Sequence, residues 1–191
     1  MKDERFLTTY RMAMIALMTA IICILSPFSL AIPISPVPIS LGTLAVCFAS
    51  CILGWKSGTL SVLVYLLIGL VGLPVFSNFS GGIAKLAGPT GGYLIGYLFL
   101  ALISGFFFDK FSQPFFHALG MVLGTGVCYL FGTVWLCHQA HLTLVQGFAM
   151  GVIPYIPGDL VKIIVVLLVG PVIRRRLAAA GLTGNHPGFS D

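Results

Sequence analysis

The sequence predicts an all-α integral membrane protein with six transmembrane helices. Hydrophobic residues make up 58% of its 191 residues and charged residues only 8%, with a mean hydropathy of +1.07, whereas a soluble domain carries about 25% charged residues. The apolar residues form continuous runs near the roughly 20 residues that a membrane helix needs. A membrane β-barrel would instead show alternating segments of about ten residues. The chain therefore has room for six spans with short loops, in one membrane domain covering residues 1–191.

Turn residues divide the apolar runs into spans. The first run ends at Ser26-Pro27, the stretch Gly54–Ser57 forms a tight turn between the second and third runs, and Asp109-Lys110 follows the fourth. We place the spans at about residues 9–27, 40–54, 57–72, 93–108, 115–137 and 157–173, with a short helix at about 142–153. Three longer connections remain: a Pro-rich extended segment at 28–39, a Gly-rich loop at 73–92, and the region 138–156 around the short helix.

The basic residues predict that both termini face the cytoplasm. Cytoplasmic loops are enriched in Lys and Arg, and six spans place both termini, the 2–3 turn and the 4–5 turn on one side. Those segments hold eight of the ten basic residues: Lys2, Arg5, Arg11, Lys56, Lys110 and Arg174–Arg176. The three longer connections then lie at the outer face. The net charge of +5 follows from this topology and suits contact with anionic lipid, and it gives no reason to invoke nucleic acid.

Two charged side chains interrupt the last predicted span. Asp159 and Lys162 are spaced i, i+3, which places them on one helix face about 4.5 Å apart along the axis. Pro157 suits a helix start, and a carboxylate in the first turn meets the positive end of the helix dipole. Because an intramembrane charge costs about 2.5–3.5 kcal/mol, such residues usually face a polar cavity or each other. The pair is therefore either a pocket offering an acceptor and a donor to a polar ligand, or a neutralised pair that only orients the helix.

The Gly-rich loop is the predicted other wall of such a pocket. Glycines let backbone N–H groups approach a ligand closely, and this loop adds polar groups and flat apolar surface. The candidate residues are Asn78, Ser80, Gly81, Gly82, Phe76, Phe79 and Tyr93. The phosphate-binding pattern G-x-x-x-x-G-K-[ST] is absent. A plain surface turn is the alternative interpretation.

A stripe of small residues follows one side of the first span. Ala13, Ala16 and Ala20 are spaced by three and four residues, and small-x-x-x-small patterns let another helix approach closely. The stripe either packs inside the bundle or docks onto a partner membrane protein.

Neither an enzyme, a metal site nor a cofactor is predicted. The sequence shows no nucleophile with its base and no H-E-x-x-H motif. His138 and His141 stand without further ligands nearby, and the five cysteines fall in apolar runs, where Cys behaves as a small packing residue.

Four short stretches together resemble the BioY family, the biotin-binding S components of energy-coupling factor (ECF) transporters. They are SPVPIS at 35–40, GLPVF at 72–76, GPTGGY at 88–93 and IPGDLVK at 156–162. Each is weak alone, but the four stand in the family's order, and the similarity runs from about residue 9 to 176.

The resemblance implies a six-helix S-component bundle with a substrate pocket near the outer face of a prokaryotic cell membrane. It implies that Asp159 and Lys162 bind the ureido ring of biotin and that the loop at 77–82 lines the pocket. It further implies that Ala16 and Ala20 dock onto a transmembrane coupling protein, which works with two cytoplasmic ABC-type ATPases.

Two positions depart from the pattern of many relatives. Gly42 stands where many have Gln, and Leu94 stands where some have an Arg that meets the biotin carboxylate. Lys85, the only cation of the predicted outer loops, is the candidate partner in its place, and a carboxylate that remains in water is the alternative. Other functions also stay open: a self-sufficient proton-coupled vitamin transporter with Asp159 as proton carrier, a ligand-free membrane structural protein, or an S component for a different vitamin.

Overall fold

Helices dominate the part of the chain that the computed structural model describes, which is residues 9–30 and 37–179. The helices are α1 (Thr9–Leu25), α2 (Gly42–Leu70), α3 (Ile83–Ala87), α4 (Gly91–Lys110), α5 (Pro114–Ala140), α6 (Leu144–Gly151) and α7 (Ile156–Ala179). Two short strands, β1 (Ser29–Leu30) and β2 (Ile39–Ser40), pair in antiparallel fashion. Lys2, Arg5 and residues 31–36 of the Pro-rich segment lie outside the described residues.

The helices are long and apolar enough for a membrane bundle, which confirms the predicted fold class. Among the described residues, four stretches qualify as spans by length and composition: α2, α4, α5 and the stretch Leu144–Ala179 that contains α6 and α7. Helix α1 is equally apolar but has only 17 residues.

Helix α2 consists of two helical segments and reverses direction between them at Gly54. This glycine has φ 75° and ψ −174°, which no helical residue adopts. A Cβ placed on Gly58 would lie 3.0 Å from the Cα of Ser50, although residues eight apart in a straight helix are about 12 Å apart. Segments 42–53 and 55–70 therefore lie side by side, as the sequence predicts for the second and third spans.

Helix α4 is at the centre of the bundle and packs against both α2 and α5. Its contact with α5 depends on small residues. A Cβ on Gly96 would lie 2.8 Å from the Sγ of Cys128, and one on Gly124 would lie 3.0 Å from the side chain of Leu100. Small residues let membrane helices approach closely, and the buried thiol of Cys128 fills the space between them.

Three local predictions were incomplete. The Gly-rich loop contains the short helix α3, because the residues between its glycine pairs, IAKLA, favour a helix. The Pro-rich segment, which was predicted to be an extended loop, has its two ends paired as the strands Ser29–Leu30 and Ile39–Ser40. The last helix was expected to end at about 173 but continues through Pro171 and Arg174 to Ala179, because Arg favours helix and the Arg174 side chain finds partners inside the bundle.

Those partners make an ion pair at one end of the bundle. Arg174 is only 6% exposed, and its Nη2 lies 2.7 Å from the Oδ1 of Asp109. Its Nη1 donates to the carbonyls of Cys51 and Phe108, which belong to the last turns of segment 42–53 and of α4. The other carboxylate oxygen of Asp109 accepts the backbone N–H of Trp55. One ion pair therefore satisfies backbone groups at three helix ends, which would otherwise be unpaired.

The Pro-rich and Gly-rich connections lie at the other end of the bundle, and hydrogen bonds and a ring contact join them. The Oγ of Ser29 donates to the Oδ1 of Asn78 at 2.8 Å and accepts its backbone N–H at 2.9 Å. The rings of Phe28 and Phe79 meet edge to face at 5.6 Å. Residues 28–29 and 78–79 of the two connections therefore pack together as a cover at this end.

Candidate functional site

A cavity lies beside the first turn of α7, between that helix and α2, α4 and α5. Its empty volume, including the part open to solvent, is about 440 Å³. Its lining residues are Val37, Pro38, Ser40, Thr43, Tyr93, Tyr97, Leu100, Thr125, Cys128, Tyr129, Gly151, Tyr155, Asp159 and Lys162. Hydroxyl groups and one ion pair are thus set into an otherwise apolar wall.

The ammonium of Lys162 uses all three of its hydrogens within the protein. Its Nζ lies 2.7 Å from the carbonyl oxygen of Ser40, 2.7 Å from the Oγ1 of Thr43 and 2.8 Å from the Oδ1 of Asp159. An ammonium has three donors and no acceptor. Any ligand oxygen that binds Lys162 must therefore take the place of one of these acceptors.

The carboxylate of Asp159 is held at both oxygens. Its Oδ1 accepts from Lys162 and, at 3.3 Å, from the Oγ1 of Thr43, while its Oδ2 accepts from the phenol of Tyr129 on α5. The side chains of Asp159 and Lys162 are only 9% and 13% exposed. Because an ionised carboxylate can accept about four hydrogen bonds, one acceptor position remains after these three.

Local sequence explains why these groups meet. A turn of 3-10 helix at Ile153–Tyr155 leads directly into α7, whose first turn carries Asp159 at the positive end of the helix dipole. The Ser40 carbonyl stands where β2 enters α2. There the Ser40 hydroxyl donates to the Ser26 carbonyl and accepts from the Gly42 N–H, so this turn holds the carbonyl in place.

Tyrosine rings form the apolar wall. The hydroxyl of Tyr93 bonds to Thr133 at 3.1 Å and donates to the carbonyl of Gly151 at 3.1 Å, which ties α4 to α5 and α6. The hydroxyl of Tyr155 donates to the carbonyl of Val37. Both side chains line the cavity, while their hydroxyls bond to neighbouring backbone and side-chain groups.

A family model described as the BioY family matches residues 1–179, nearly the whole chain. The chain belongs to the BioY family.

Relatives within the family match at substantial identity. The chain is 40% identical over 174 residues to "Biotin transporter BioY" of Lactococcus lactis subsp. cremoris, covering 87% of this chain and 89% of the relative. It is 37% identical over 140 residues to the protein of the same name from Thermotoga maritima, covering 73% of this chain and 82% of the relative. It is 36% identical over 177 residues to the protein of that name from Rhizobium etli, covering 86% of this chain and 92% of the relative. These relatives are named as transporters, and the BioY-family chain is accordingly a multi-pass membrane protein.

A solved structure also has the same fold. It is described as the crystal structure at 2.1 Å of the S-component for biotin from an ECF-type ABC transporter. The match has a TM-score of 0.82 at 32% identity and covers 92% of this BioY-family chain and 95% of the solved one. The predicted S-component-like bundle is thereby confirmed.

The structure brings three of the predicted site residues together in the cavity: Asp159, Lys162 and Tyr93. The Gly-rich loop was expected to form the opposite wall, but none of its residues lines the cavity. Outside α4, α5 and α7, the lining residues are instead Val37, Pro38, Ser40, Thr43, Gly151 and Tyr155.

Packing within the Gly-rich loop explains where its predicted residues point. Phe76 is fully buried, with its ring edge-on to Tyr65 at 5.4 Å. Ser80 donates to the carbonyl of Ser77, and Asn78 is bonded to Ser29. Phe79 is 61% exposed.

The two predicted loop glycines have backbone roles in the described structure. Gly81 lies so close to the carbonyl of Leu73 that a Cβ would come within 2.2 Å of its oxygen. Gly82 stands directly before α3, and its N–H donates to the carbonyl of Gly69 at 2.7 Å.

The candidate partner of a ligand carboxylate also lies outside the cavity lining. Lys85 sits half-buried in α3, and this partial burial lowers the pKa of its ammonium, since burial penalises the charged form. Leu94 is 4% exposed and packs in the core. A side chain at Gly42 would collide with the Oγ of Ser26, only 2.8 Å from the position of a Cβ.

Thr43 and Tyr129 were missed by the sequence analysis although both touch the Asp159 carboxylate. A usable signal existed for Tyr129, since it is the only tyrosine of the predicted fifth span and a buried phenol usually requires a hydrogen-bond partner. Tyr97 could have been found as well, because it stands four residues after Tyr93 and therefore shares its helix face. Thr43 carried no comparable signal.

The small-residue stripe of α1 faces away from the bundle. Ala13, Ala16 and Ala20 are exposed, whereas Met14 and Met18 on the other face are buried. The stripe is therefore available to a partner outside the described chain.

Proposed function

We propose that this chain is a biotin-capture subunit for vitamin uptake across a prokaryotic cell membrane. The observation that carries the proposal is the Asp159–Lys162 pair at 2.8 Å in a cavity lined by aromatic rings and hydroxyl groups. A cyclic urea such as the ureido ring of biotin presents an N–H next to a carbonyl oxygen. The carboxylate accepts from that N–H and the ammonium donates to that oxygen.

The ligand carbonyl enters the site by exchange. Lys162 must give up one acceptor, and its ion pair with Asp159 is the costly one to break because it would leave two buried charges apart. The neutral acceptors, the carbonyl of Ser40 and the hydroxyl of Thr43, are the replaceable ones. The urea oxygen takes one of these two places, and the ion pair remains intact.

The rest of biotin lies against the tyrosine wall. Its fused rings and aliphatic chain are apolar, and aromatic faces such as that of Tyr93 provide large contact areas. We assign the Gly-rich loop residues Phe76, Asn78, Phe79, Ser80, Gly81 and Gly82 to the cover of the site. The Ser29–Asn78 bonds and the pairing of Ser29 with Ser40 support this assignment.

Lys85 is the proposed partner of the biotin carboxylate. It is the only basic residue between Lys56 and Lys110, and its half-buried ammonium would gain from an anion that offsets its desolvation. It lies in α3, which immediately precedes the helix that carries Tyr93.

The chain is proposed to work with an ECF transmembrane coupling protein and two cytoplasmic ABC-type ATPases. Its sequence has no phosphate-binding loop, so the energy must come from elsewhere. The outward stripe of Ala13, Ala16 and Ala20 is the proposed docking surface for the coupling protein, since small residues permit close helix contact. The distribution of basic residues supports the proposal that both termini face the cytoplasm and that the cavity lies at the outer face.

Uptake of labelled biotin into vesicles separates this function from its rivals. With the coupling protein and both ATPases present, we expect uptake that requires ATP and survives an uncoupler. Uptake without ATP that collapses with an uncoupler would instead establish a proton-coupled transporter. A native chain that neither binds nor transports biotin would leave a different vitamin or a structural role.

A further inference from the structure

Among residues 9–30 and 37–179, the phenol of Tyr129 is the only hydrogen-bond donor to the second carboxylate oxygen of Asp159. Lys162 and Thr43 both bond to Oδ1, while Tyr129 alone donates to Oδ2. Rotation of an aspartate carboxylate about its last torsion is only weakly restricted. The Tyr129 bond, which crosses from α5 to α7, therefore helps to fix this torsion together with the bonds that Lys162 and Thr43 make to Oδ1.

Other tyrosines at the cavity use their hydroxyls differently. Tyr93 donates to the carbonyl of Gly151, and Tyr155 to that of Val37, so both join neutral backbone groups. Tyr129 donates to a charged oxygen that itself faces the cavity. Hydrogen bonds to charged groups are stronger and more directional than those between neutral groups, which suits a role in orienting the carboxylate.

We propose that Tyr129 is a positioning residue that leaves Asp159 a single acceptor position toward the ligand, so that the site selects an N–H next to a carbonyl. This inference rests on the proposed function and refines it. Three protein donors occupy three of the roughly four acceptor positions of the carboxylate. A urea edge with one N–H uses the remaining position, and its carbonyl turns to Lys162.

The same arrangement disfavours a guanidinium. In 2-iminobiotin the urea carbonyl is replaced by a protonated C=NH2 group, so this edge of the ring carries two donors. A guanidinium pairs best with a carboxylate that has both oxygens available. Lys162 and Thr43 fill Oδ1, and Tyr129 takes one of the two acceptor positions of Oδ2, so both oxygens are not available to the ligand. The ammonium of Lys162 also repels the added positive charge.

The test is a double-mutant cycle on ligand binding to the full detergent-purified chain. The variants are Tyr129→Phe, Asp159→Asn and the double variant, each titrated with biotin and with 2-iminobiotin. Tyr129→Phe keeps the ring and removes only the hydroxyl. The matched control is Tyr65→Phe, which removes a buried phenol that bonds to Ser26 outside the cavity lining.

We expect Tyr129→Phe to weaken biotin binding roughly tenfold or more and to reduce the preference for biotin over 2-iminobiotin. When Asp159 is already replaced by Asn, Tyr129→Phe should weaken biotin binding by less than about twofold more. The effects of two residues that act through one another are not additive. Tyr65→Phe should leave the ligand preference unchanged.

Three results would overturn the inference while the proposed function stands. The first is that the native chain binds biotin and 2-iminobiotin with equal affinity. The second is that Tyr129→Phe weakens the binding of both ligands by the same factor. The third is that the losses of biotin affinity in the two single variants add up in the double variant. Absence of biotin binding by the native chain would overturn the proposed function as well.

Discussion

The guanidinium of Arg174 and the carboxylate of Asp109 form a buried ion pair at the end of the bundle opposite the cavity, with Nη2 and Oδ1 2.7 Å apart. Segment 42–53 and α7 run side by side between this pair and the site: Arg174 bonds to Cys51 at one end, and Lys162 bonds to Ser40 at the other. The ion pair therefore holds together the two helices on which the site is built.

The first prediction concerns this ion pair. Arg174→Met leaves Asp109 as an unpaired, largely buried charge and frees two helix-end carbonyls, which we expect to cost about 3–5 kcal/mol. The apparent melting temperature in detergent should fall sharply. The control is Arg176→Met, at an exposed position on the same helix, which should change stability by less than about 0.5 kcal/mol. Equal melting temperatures for the two variants would contradict the structural role of Arg174.

The reversal at Gly54 gives a second prediction. Its positive φ costs any other residue about 1–3 kcal/mol, and a Cβ would lie 2.2 Å from the Oδ2 of Asp109. Gly54→Ala should therefore destabilise the protein. Gly126→Ala is the matched change, because nothing lies within 4 Å of its Cβ position and it occupies the interior of a helix. It should stabilise by about 0.5–1 kcal/mol, and a destabilisation as large as that of Gly54→Ala would argue against this explanation.

A third prediction tests Lys85. If its ammonium meets the ligand carboxylate, the native chain should prefer biotin over the uncharged biotin amide, and Lys85→Gln should remove that preference by weakening only biotin. The measurement is a comparison of the two dissociation constants in each protein. Lys56→Gln, at a lysine in the α2 turn away from the cavity, should leave the preference intact. An unchanged preference in Lys85→Gln would place the carboxylate in water.

The exposed face of α1 provides a fourth prediction. Ala20→Leu adds bulk to the stripe without touching the cavity, so biotin binding should be unchanged while the coupling protein no longer co-purifies. The control is Ala149→Leu, at an exposed alanine on α6, which should affect neither property. Retention of the partner by Ala20→Leu, and by Ala16→Leu as well, would exclude this face as the docking surface.

The charges of the site could be predicted from sequence, and its hydroxyls could not. Asp159 and Lys162 attract notice because a charge within a span is costly, and their i, i+3 spacing fixes a common face. Thr43 does not differ in sequence from other polar helix residues, and its partner Asp159 is 116 positions away along the chain. No local pattern carries that information.

The fold shows the same division between local and long-range information. The turn at Gly54 was predictable because Gly, Trp, Lys and Ser interrupt an apolar run, and the structure reverses there. Arg174 was interpreted as part of the basic end of the last span, whereas it is buried against Asp109, 65 residues away. A positive charge near a membrane surface and one that caps helix ends inside a bundle look alike in sequence, because only the packing of α2 against α4 and α7 distinguishes them.

Calorimetric titration of detergent-purified protein with biotin tests the central claim most directly. We expect tight binding by the native chain and a loss of roughly ten- to hundredfold or more in Asp159→Asn, with its melting temperature showing that the variant is folded. Lys162→Met should lose binding as well. Biotin binding by a folded Asp159→Asn variant at native affinity, or no binding by the folded native chain, would contradict the assignment of this site.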